Sequence, residues 1–294
     1  MVSRLGHGLP LVAPGLFVFL WSTGFIGARY GLPDASPLSF LLVRFVLVVV
    51  LMLSLALAMR APWPSRWRDC LHIGVTGVLI HAVYLGGVFT SIAQGLPTAV
   101  SSALVSLQPL LTAVGAALVL SERVSRRQWI GLTIGLVGAL LVISSRIDGG
   151  FGLAGVPAAF AALAGITLGT LYQKRFCSTF DYRSGAVLQF LPAAVLTGAA
   201  LLLFDEFRVE WTGDFLFALG WLTLVLSLGA IGLLNYLIRT GSATHVASLF
   251  YMVPPCTAII AWLMFDERLS ALALAGIVVT VWGVYMARAI PGKG

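Results

Sequence analysis

Ten apolar runs follow one another along the chain, each close to the roughly 20 residues that a helix needs to cross a ~30 Å hydrocarbon core. They cover residues 11–30, 37–59, 71–93, 97–120, 127–145, 152–174, 184–204, 215–238, 245–265 and 270–289. A water-soluble fold is excluded, because only 10% of the 294 residues are charged where a soluble domain carries about 25%. The runs also lack the ~10-residue alternation of membrane-barrel strands. The expected fold is therefore an all-α integral membrane protein of ten transmembrane helices. The first run follows Arg4 and has no small-residue cleavage site behind it, so it reads as a helix and not as a signal peptide. Cys70, Cys177 and Cys256 have no paired spacing and read as packed thiols. No metal or other cofactor is expected.

The 18 Lys and Arg outnumber the 11 Asp and Glu, but they lie in short connections between apolar runs, where they orient the chain in a bilayer and do not form a nucleic-acid face. With the N-terminus inside, thirteen basic residues fall on the inner side: Arg4, Arg60, Arg66, Arg68, Arg123, Arg126, Arg127, Lys174, Arg175, Arg183, Arg239, Arg288 and Lys293. Only Arg29, Arg146, Arg208 and Arg268 fall outside, and Arg44 lies within the second run. This bias predicts cytoplasmic N- and C-termini. It places the acidic connection Asp205 to Asp214 outside.

The stretch from Gly95 to Gly138 recurs about 146 residues later. Gly95, Val100, Ser102 and Pro109 match Gly241, Val246, Ser248 and Pro255; after a one-residue slip, Glu122, Arg123, Gly131 and Gly138 match Glu267, Arg268, Gly276 and Gly283. Weaker echoes pair Gly24 with Gly169, Phe45 with Phe190 and Gly86 with Gly232. Two halves of five helices, an odd number, must enter the membrane from opposite sides. Such an inverted repeat puts a binding site near the midplane between the halves and permits alternating access.

The segments LVSLQPLLTAVGAALVLSERVSRRQWIGLTIGLVGALLVI and SLFYMVPPCTAIIAWLMFDERLSALALAGIVVTVWGVYMA each hold a Pro-bearing helix, a Glu-Arg turn and a Gly-spaced helix. They resemble the two copies of the EamA-type repeat of the drug/metabolite transporter superfamily. LWSTGFIGARYGL and LSFLLVRFVLV resemble the start of the first copy, and GITLGTLYQKRF matches the start of the second more loosely. The resemblance spans nearly the whole chain. It implies five-helix repeats over residues 1–147 and 148–294, a central cavity, a bacterial inner membrane and export of small amphipathic metabolites. Within the family the chain resembles the aromatic amino-acid exporters, which implies aromatic amino acids as the solute.

None of the eleven acidic residues falls mid-membrane: Asp34, Asp148, Asp205, Glu206, Glu210, Asp214, Asp266 and Glu267 lie in outer connections, and Asp69, Glu122 and Asp181 in inner ones. Proton-driven carriers and cation pumps keep an intramembrane carboxylate, so a neutral or zwitterionic solute and a facilitative carrier are expected. No paired acids, nucleophile with base, or metal-ligand cluster indicates an enzyme.

Polar and aromatic residues remain as the candidate substrate site. His81 and Tyr84 share a face of the third run, and their repeat mates are Ser227 and Ala230, which makes the pair asymmetric. In the fourth run Ser101, Val105, Gln108 and Thr112 form one stripe, and Ser102, Ser106 and Pro109 its neighbour; Pro109 frees a carbonyl beside Gln108. The ninth run carries Tyr251, Met252, Pro254 and Pro255, whose prolines should bend it, so Pro109, Pro254 and Pro255 are expected gate elements. Trp21, Ser22 and Phe25, Tyr172, Asn235 and Tyr236 complete the expected lining, whereas Trp63, Trp67, Trp129, Trp211 and Tyr30 read as interfacial anchors. Arg44 is expected to be a structural charge, with substrate carboxylate binding as its alternative. The GxxxG spacings at Gly131, Gly135 and Gly138 and at Gly165 and Gly169 indicate close packing, within the monomer or across a homodimer. The expected partners are thus a small solute and the bilayer. A membrane-embedded enzyme acting on lipid or isoprenoid and an exporter of neutral drugs are the competing functions.

Overall fold

The computed structural model describes residues 9–96, 98–144, 153–177, 179–265 and 270–287. Arg4, Arg146, Asp148, Asp266, Glu267, Arg268, Arg288 and Lys293, and the side chains of Phe25 and Arg29, lie outside the described residues. The chain is helical, in chain order α1 (Leu9–Gly31), α2 (Pro37–Ala58), α3 (Trp67–Ala93), α4 (Thr98–Val105), α5 (Gln108–Val119), α6 (Arg126–Ser144), α7 (Val156–Phe176), α8 (Tyr182–Phe204), α9 (Gly213–Thr240), α10 (Ala243–Ser248), α11 (Val253–Phe265) and α12 (Ala271–Ala287). Seven helical stretches are long and apolar enough to cross a membrane, and Val12–Gly24, Gln108–Val119 and Ala271–Ala287 are shorter apolar ones.

Local chemistry sets the boundaries. Pro37 and Pro109 sit in the first turns of α2 and α5, where no backbone donor is missed. The side chains of Asp181, Thr212 and Ser242 accept hydrogen bonds from the first-turn amides of α8, α9 and α10. Ser125 and Gln128 form a reciprocal capping box before α6, at 3.2 and 2.9 Å.

Four runs depart from simple helices. The fourth is two helices, α4 and α5, with Pro109 starting the second. The ninth divides into α10, a 3₁₀ turn at Leu249–Met252 and α11, and Pro254 and Pro255 occupy the first turn of α11. These prolines interrupt the ladder by opening a new helix, because a proline costs no hydrogen bond there. In α3 the stretch Val78–Val83 is a π-helical turn that carries His81, and in α9 the stretch Leu222–Ala230 is another that carries Ser227. Such turns are rare and cluster at functional places.

The glycine motifs pack within the chain. A Cβ on Gly276 of α12 would stand 2.8 Å from the Gly138 carbonyl and from the Val142 amide of α6, and one on Gly131 of α6 would stand 2.7 Å from the Gly283 carbonyl of α12. Gly165 of α7 abuts α3, where a Cβ would lie 2.8 Å from the Leu79 carbonyl and 2.9 Å from the Tyr84 amide. Elsewhere α2 packs along α8, and α1 packs against α9 and α11.

The two ends of the bundle are tied differently. At one, Lys174 Nζ donates to the Ile238 carbonyl at 2.9 Å, Arg239 Nη1 donates to the Phe180 carbonyl at 2.8 Å, and Arg175 donates to the Val119 carbonyl. Lys174 and Arg175 thus satisfy carbonyls left over at helix C-termini, and Arg239 one in the connection before α8. The Glu122 carboxylate accepts from the Ala243 amide at 3.0 Å and from Thr244 Oγ1 at 3.4 Å, capping α10. At the other end the Asp34 to Ser36 connection pairs with Arg208 to Glu210: Ser36 N donates to the Arg208 carbonyl at 3.0 Å and Glu210 N to the Asp34 carbonyl at 2.7 Å. Replacing Glu122 with alanine removes the acceptor of the Ala243 amide, leaving Ser242 as the remaining cap of α10, and should cost about 1 kcal/mol. Thermal unfolding in detergent reads this loss, and an unchanged midpoint would show that the cap contributes nothing.

Candidate functional site

Two buried clusters meet on α3. The first is aromatic. Trp21 of α1 stacks on Tyr84 with ring centroids 6.3 Å apart and planes 15° apart, and Phe250 approaches Trp21 edge-on at 5.3 Å, with Phe17 closing the group. Offset and edge contacts of this kind are worth about 0.5–1.5 kcal/mol per pair beyond area burial. Beside it, Ser22 Oγ donates to the Val18 carbonyl of its own helix at 2.7 Å and to the Val253 carbonyl at 3.3 Å. Ser22 therefore ties α1 to the start of α11, next to Pro254.

The second cluster is polar. His81 stacks flat on Phe190 of α8 at 3.9 Å, with Phe45 of α2 at 6.1 Å. Gln189 lies beside it as a hydrogen-bonding neighbour, although neither ring nitrogen meets a partner at regular hydrogen-bond geometry among the described residues. Arg44 of α2, only 2% exposed, donates from Nε to Ser227 Oγ at 3.1 Å, and that hydroxyl donates to the Leu222 carbonyl at 3.1 Å. A chain of amides continues the cluster: Gln173 Nε2 donates to Asn235 Oδ1 at 2.7 Å and Asn235 Nδ2 to Gln189 Oε1 at 3.4 Å. Tyr182 Oη donates to the Ser227 carbonyl at 2.8 Å.

Further unpartnered polar atoms lie at the α4/α5 break and the 3₁₀ turn. Among the described residues, both amide atoms of Gln108, Thr112 Oγ1 and Tyr251 Oη are buried without a hydrogen bond, as is Gln173 Oε1 in the amide chain. Each such group costs about 1–3 kcal/mol, so it calls for an explanation in a native fold. Ser106 does not join them: its hydroxyl donates to the Ser102 carbonyl one turn back, at 2.8 Å. Met252 is half-buried and packs against the main core.

The expected residues thus divide. Trp21 and Tyr84 come together; His81 and Tyr84 share α3 but face different neighbours, His81 towards α2 and α8 and Tyr84 towards α1. Asn235 joins the polar cluster. Tyr172 meets another partner, its hydroxyl lying 2.7 Å from Nδ1 of His72, whose ring stacks on Phe176 at 4.8 Å. Sequence reasoning missed His72, Gln173, Phe250 and the central place of Gln189 and Ser227. The two glutamines gave a readable signal, since each is an amide within an apolar run and both are buried.

The acids among the described residues all lie at helix ends or in connections. Asp34, Glu122, Glu206 and Glu210 lie between helices, Asp69 and Asp214 in first turns, and Asp181 and Asp205 at caps. The Arg183 guanidinium, 2.7 Å away, holds the Asp181 carboxyl below its ordinary range.

The EamA-like transporter family matches residues 14–144 and 153–289. The "uncharacterized inner membrane transporter YedA" of Escherichia coli (strain K12) is 26% identical over 288 residues, covering 96% of this chain and 92% of that protein. A "probable amino-acid metabolite efflux pump" of the same organism is 23% identical over 283 residues, covering 92% of each. A crystal structure at 18% identity superposes with a TM-score of 0.76, covering 94% of this chain and 96% of that one, and so shares the fold. A helical bundle rich in apolar spans and matched by this family over both halves is a membrane transporter, and the chain belongs to the EamA-like transporter family.

Proposed function

We propose that this transporter exports small amphipathic metabolites, above all aromatic and other neutral amino acids, by alternating access and without a coupling proton. The observation that carries this reading is the meeting on α3 of an aromatic set, Trp21, Tyr84 and Phe250, with buried polar atoms that lack partners, while the described carboxylates stay at the helix ends. An aromatic side chain fits the first and the polar end of an amino acid the second. The relative named an amino-acid metabolite efflux pump supports the substrate class.

Ten crossings in two inverted halves, residues 1–147 and 148–294, form part of the same proposal. The π turns at Val78–Val83 and Leu222–Ala230 lie about 146 residues apart, as do the α4/α5 break and the 3₁₀ turn. The repeat mates α2 and α8, and α6 and α12, also touch, which is the arrangement expected around a two-fold axis in the membrane plane. In this reading the end rich in arginine and lysine faces the cytoplasm, and the helix starts at Pro109 and at Pro254 and Pro255 act as gate elements.

Counterflow in proteoliposomes tests the proposal: the lumen holds unlabelled phenylalanine, and uptake of trace labelled phenylalanine is followed. Saturable uptake without an imposed gradient is expected. Uptake that needs a pH gradient would retire the facilitative mechanism, and no uptake of any amino acid would retire the substrate class. Trp21→Ala should lower the preference for phenylalanine over leucine by about 2- to 10-fold, the value of one or two aromatic contacts. Competition assays report that ratio.

A further inference from the structure

Arg44 is a cation on the second helix of a membrane bundle, 2% exposed. No carboxylate among the described residues pairs with it; its hydrogen bond goes to the neutral Ser227 hydroxyl at 3.1 Å, through Nε. An intramembrane charge of this kind is costly and is normally paired or placed on a solute path. A purely structural charge would be held by several carbonyls or by an acid, as Lys174 is at the bundle end. Arg44 has neither. It is instead held by one π turn, through Ser227, and acts electrostatically on His81 in the other. His81, itself 1% exposed, adds two nitrogens without a regular hydrogen bond among the described residues.

Building on the amino-acid reading, we propose that Arg44 is the carboxylate-binding residue of the solute site, with Ser227 orienting the guanidinium and His81 bordering the same subsite. The ligand class is an organic carboxylate. The planar fork of arginine matches a carboxylate with two parallel hydrogen bonds, and Nε is taken by Ser227, which leaves the terminal nitrogens for the ligand. The solute then lies with its carboxylate between α2, α3 and α9 and its side chain towards Trp21 and Tyr84. This assignment takes the alternative reading of Arg44 in place of the structural one that the sequence favoured.

Thermal unfolding of the purified full chain in detergent, with benzoate or its neutral isostere benzamide added, tests the subsite. Benzoate should protect at concentrations roughly 10- to 100-fold lower than benzamide, the ratio for a hydrogen bond to a charged group. In Arg44→Gln this preference should vanish, and in Arg44→Lys and Ser227→Ala it should shrink. Equal protection by both probes in the parent protein overturns the proposal, and so does a benzoate preference that survives in Arg44→Gln, because it then comes from surface arginines. If Arg44→Gln does not fold, Ser227→Ala decides: it keeps the charge, and an undiminished preference there overturns the proposal. Counterflow separates the two readings. Benzoate protection that depends on Arg44 without phenylalanine exchange retains the subsite and retires the amino-acid solute. Phenylalanine exchange inhibited equally by phenylalaninol retains the solute and retires the subsite.

Discussion

The variant His81→Phe should melt at a higher temperature than the parent protein and yet exchange little phenylalanine. Imidazole and phenyl rings have similar shape, so the stack on Phe190 at 3.9 Å is preserved, while two buried nitrogens without partners disappear. Removing an unsatisfied buried polar group regains about 1–3 kcal/mol. If His81 only packed, the variant would be more stable and fully active. If it contacts solute, exchange should fall by roughly tenfold or more, as expected where a hydrogen bond of about 1.4 kcal/mol is lost from the transition state of transport. Melting curves and counterflow on the same preparation read both quantities. Increased stability with unchanged exchange would sink the site assignment, and reduced stability would show that the imidazole is satisfied in the fold. Stability exchanged against activity is common where a site keeps unsatisfied groups.

Gly283→Leu should prevent the chain from folding, whereas Gly15→Leu should be silent. Any side chain at Gly283 meets the backbone of α6, with the Gly131 carbonyl 2.8 Å from the position of a Cβ. A flexible neighbour could step aside, but backbone cannot. Overpacking typically costs 1–3 kcal/mol or more, and here α12 must separate from α6, giving up close contact along three turns that also include Gly138 and Gly276. Gly15 lies on the exposed side of α1 with nothing within 4 Å of its Cβ position. Size-exclusion profiles of the two variants in detergent compare them directly. A monodisperse Gly283→Leu would mean that the α6 and α12 contact is dispensable.

Most helical segments were legible because a bilayer imposes a length, and length is visible as an apolar run. What was not legible were interruptions that depend on tertiary contact. Val78–Val83 is apolar apart from His81, and nothing in VLIHAV distinguishes a π turn from an α turn. The break before Gln108 was visible only as a proline, and a proline can either kink a helix or start one; which happens depends on what the freed carbonyls meet. The site was legible in residue type but not in grouping. Tyr172 looked central and pairs with His72, because facing follows from helix packing and not from polarity. Gln173 was overlooked beside Lys174, although it is the amide that fixes Asn235. GxxxG spacing correctly signalled close approach, and only the contacts of Gly131 and Gly276 reveal that the partner is the same chain.

The π turn in α3 also acts as a phase shifter. A π turn holds one residue more than an α turn, so the two parts of the helix are wound independently. Before the turn, Gly77 faces the backbone of Gln189 in α8; after it, Gly87 faces Ala158 and Ala162 in α7. One residue is about 100° of an α-helix. A wheel drawn through α3 as a uniform spiral would therefore put Tyr84 on a side where Trp21 is not. Deleting a single residue between Val78 and Val83 would leave a regular helix of almost the same composition and turn Tyr84 off its stack. Its bearing is set by chain count, not by side-chain chemistry.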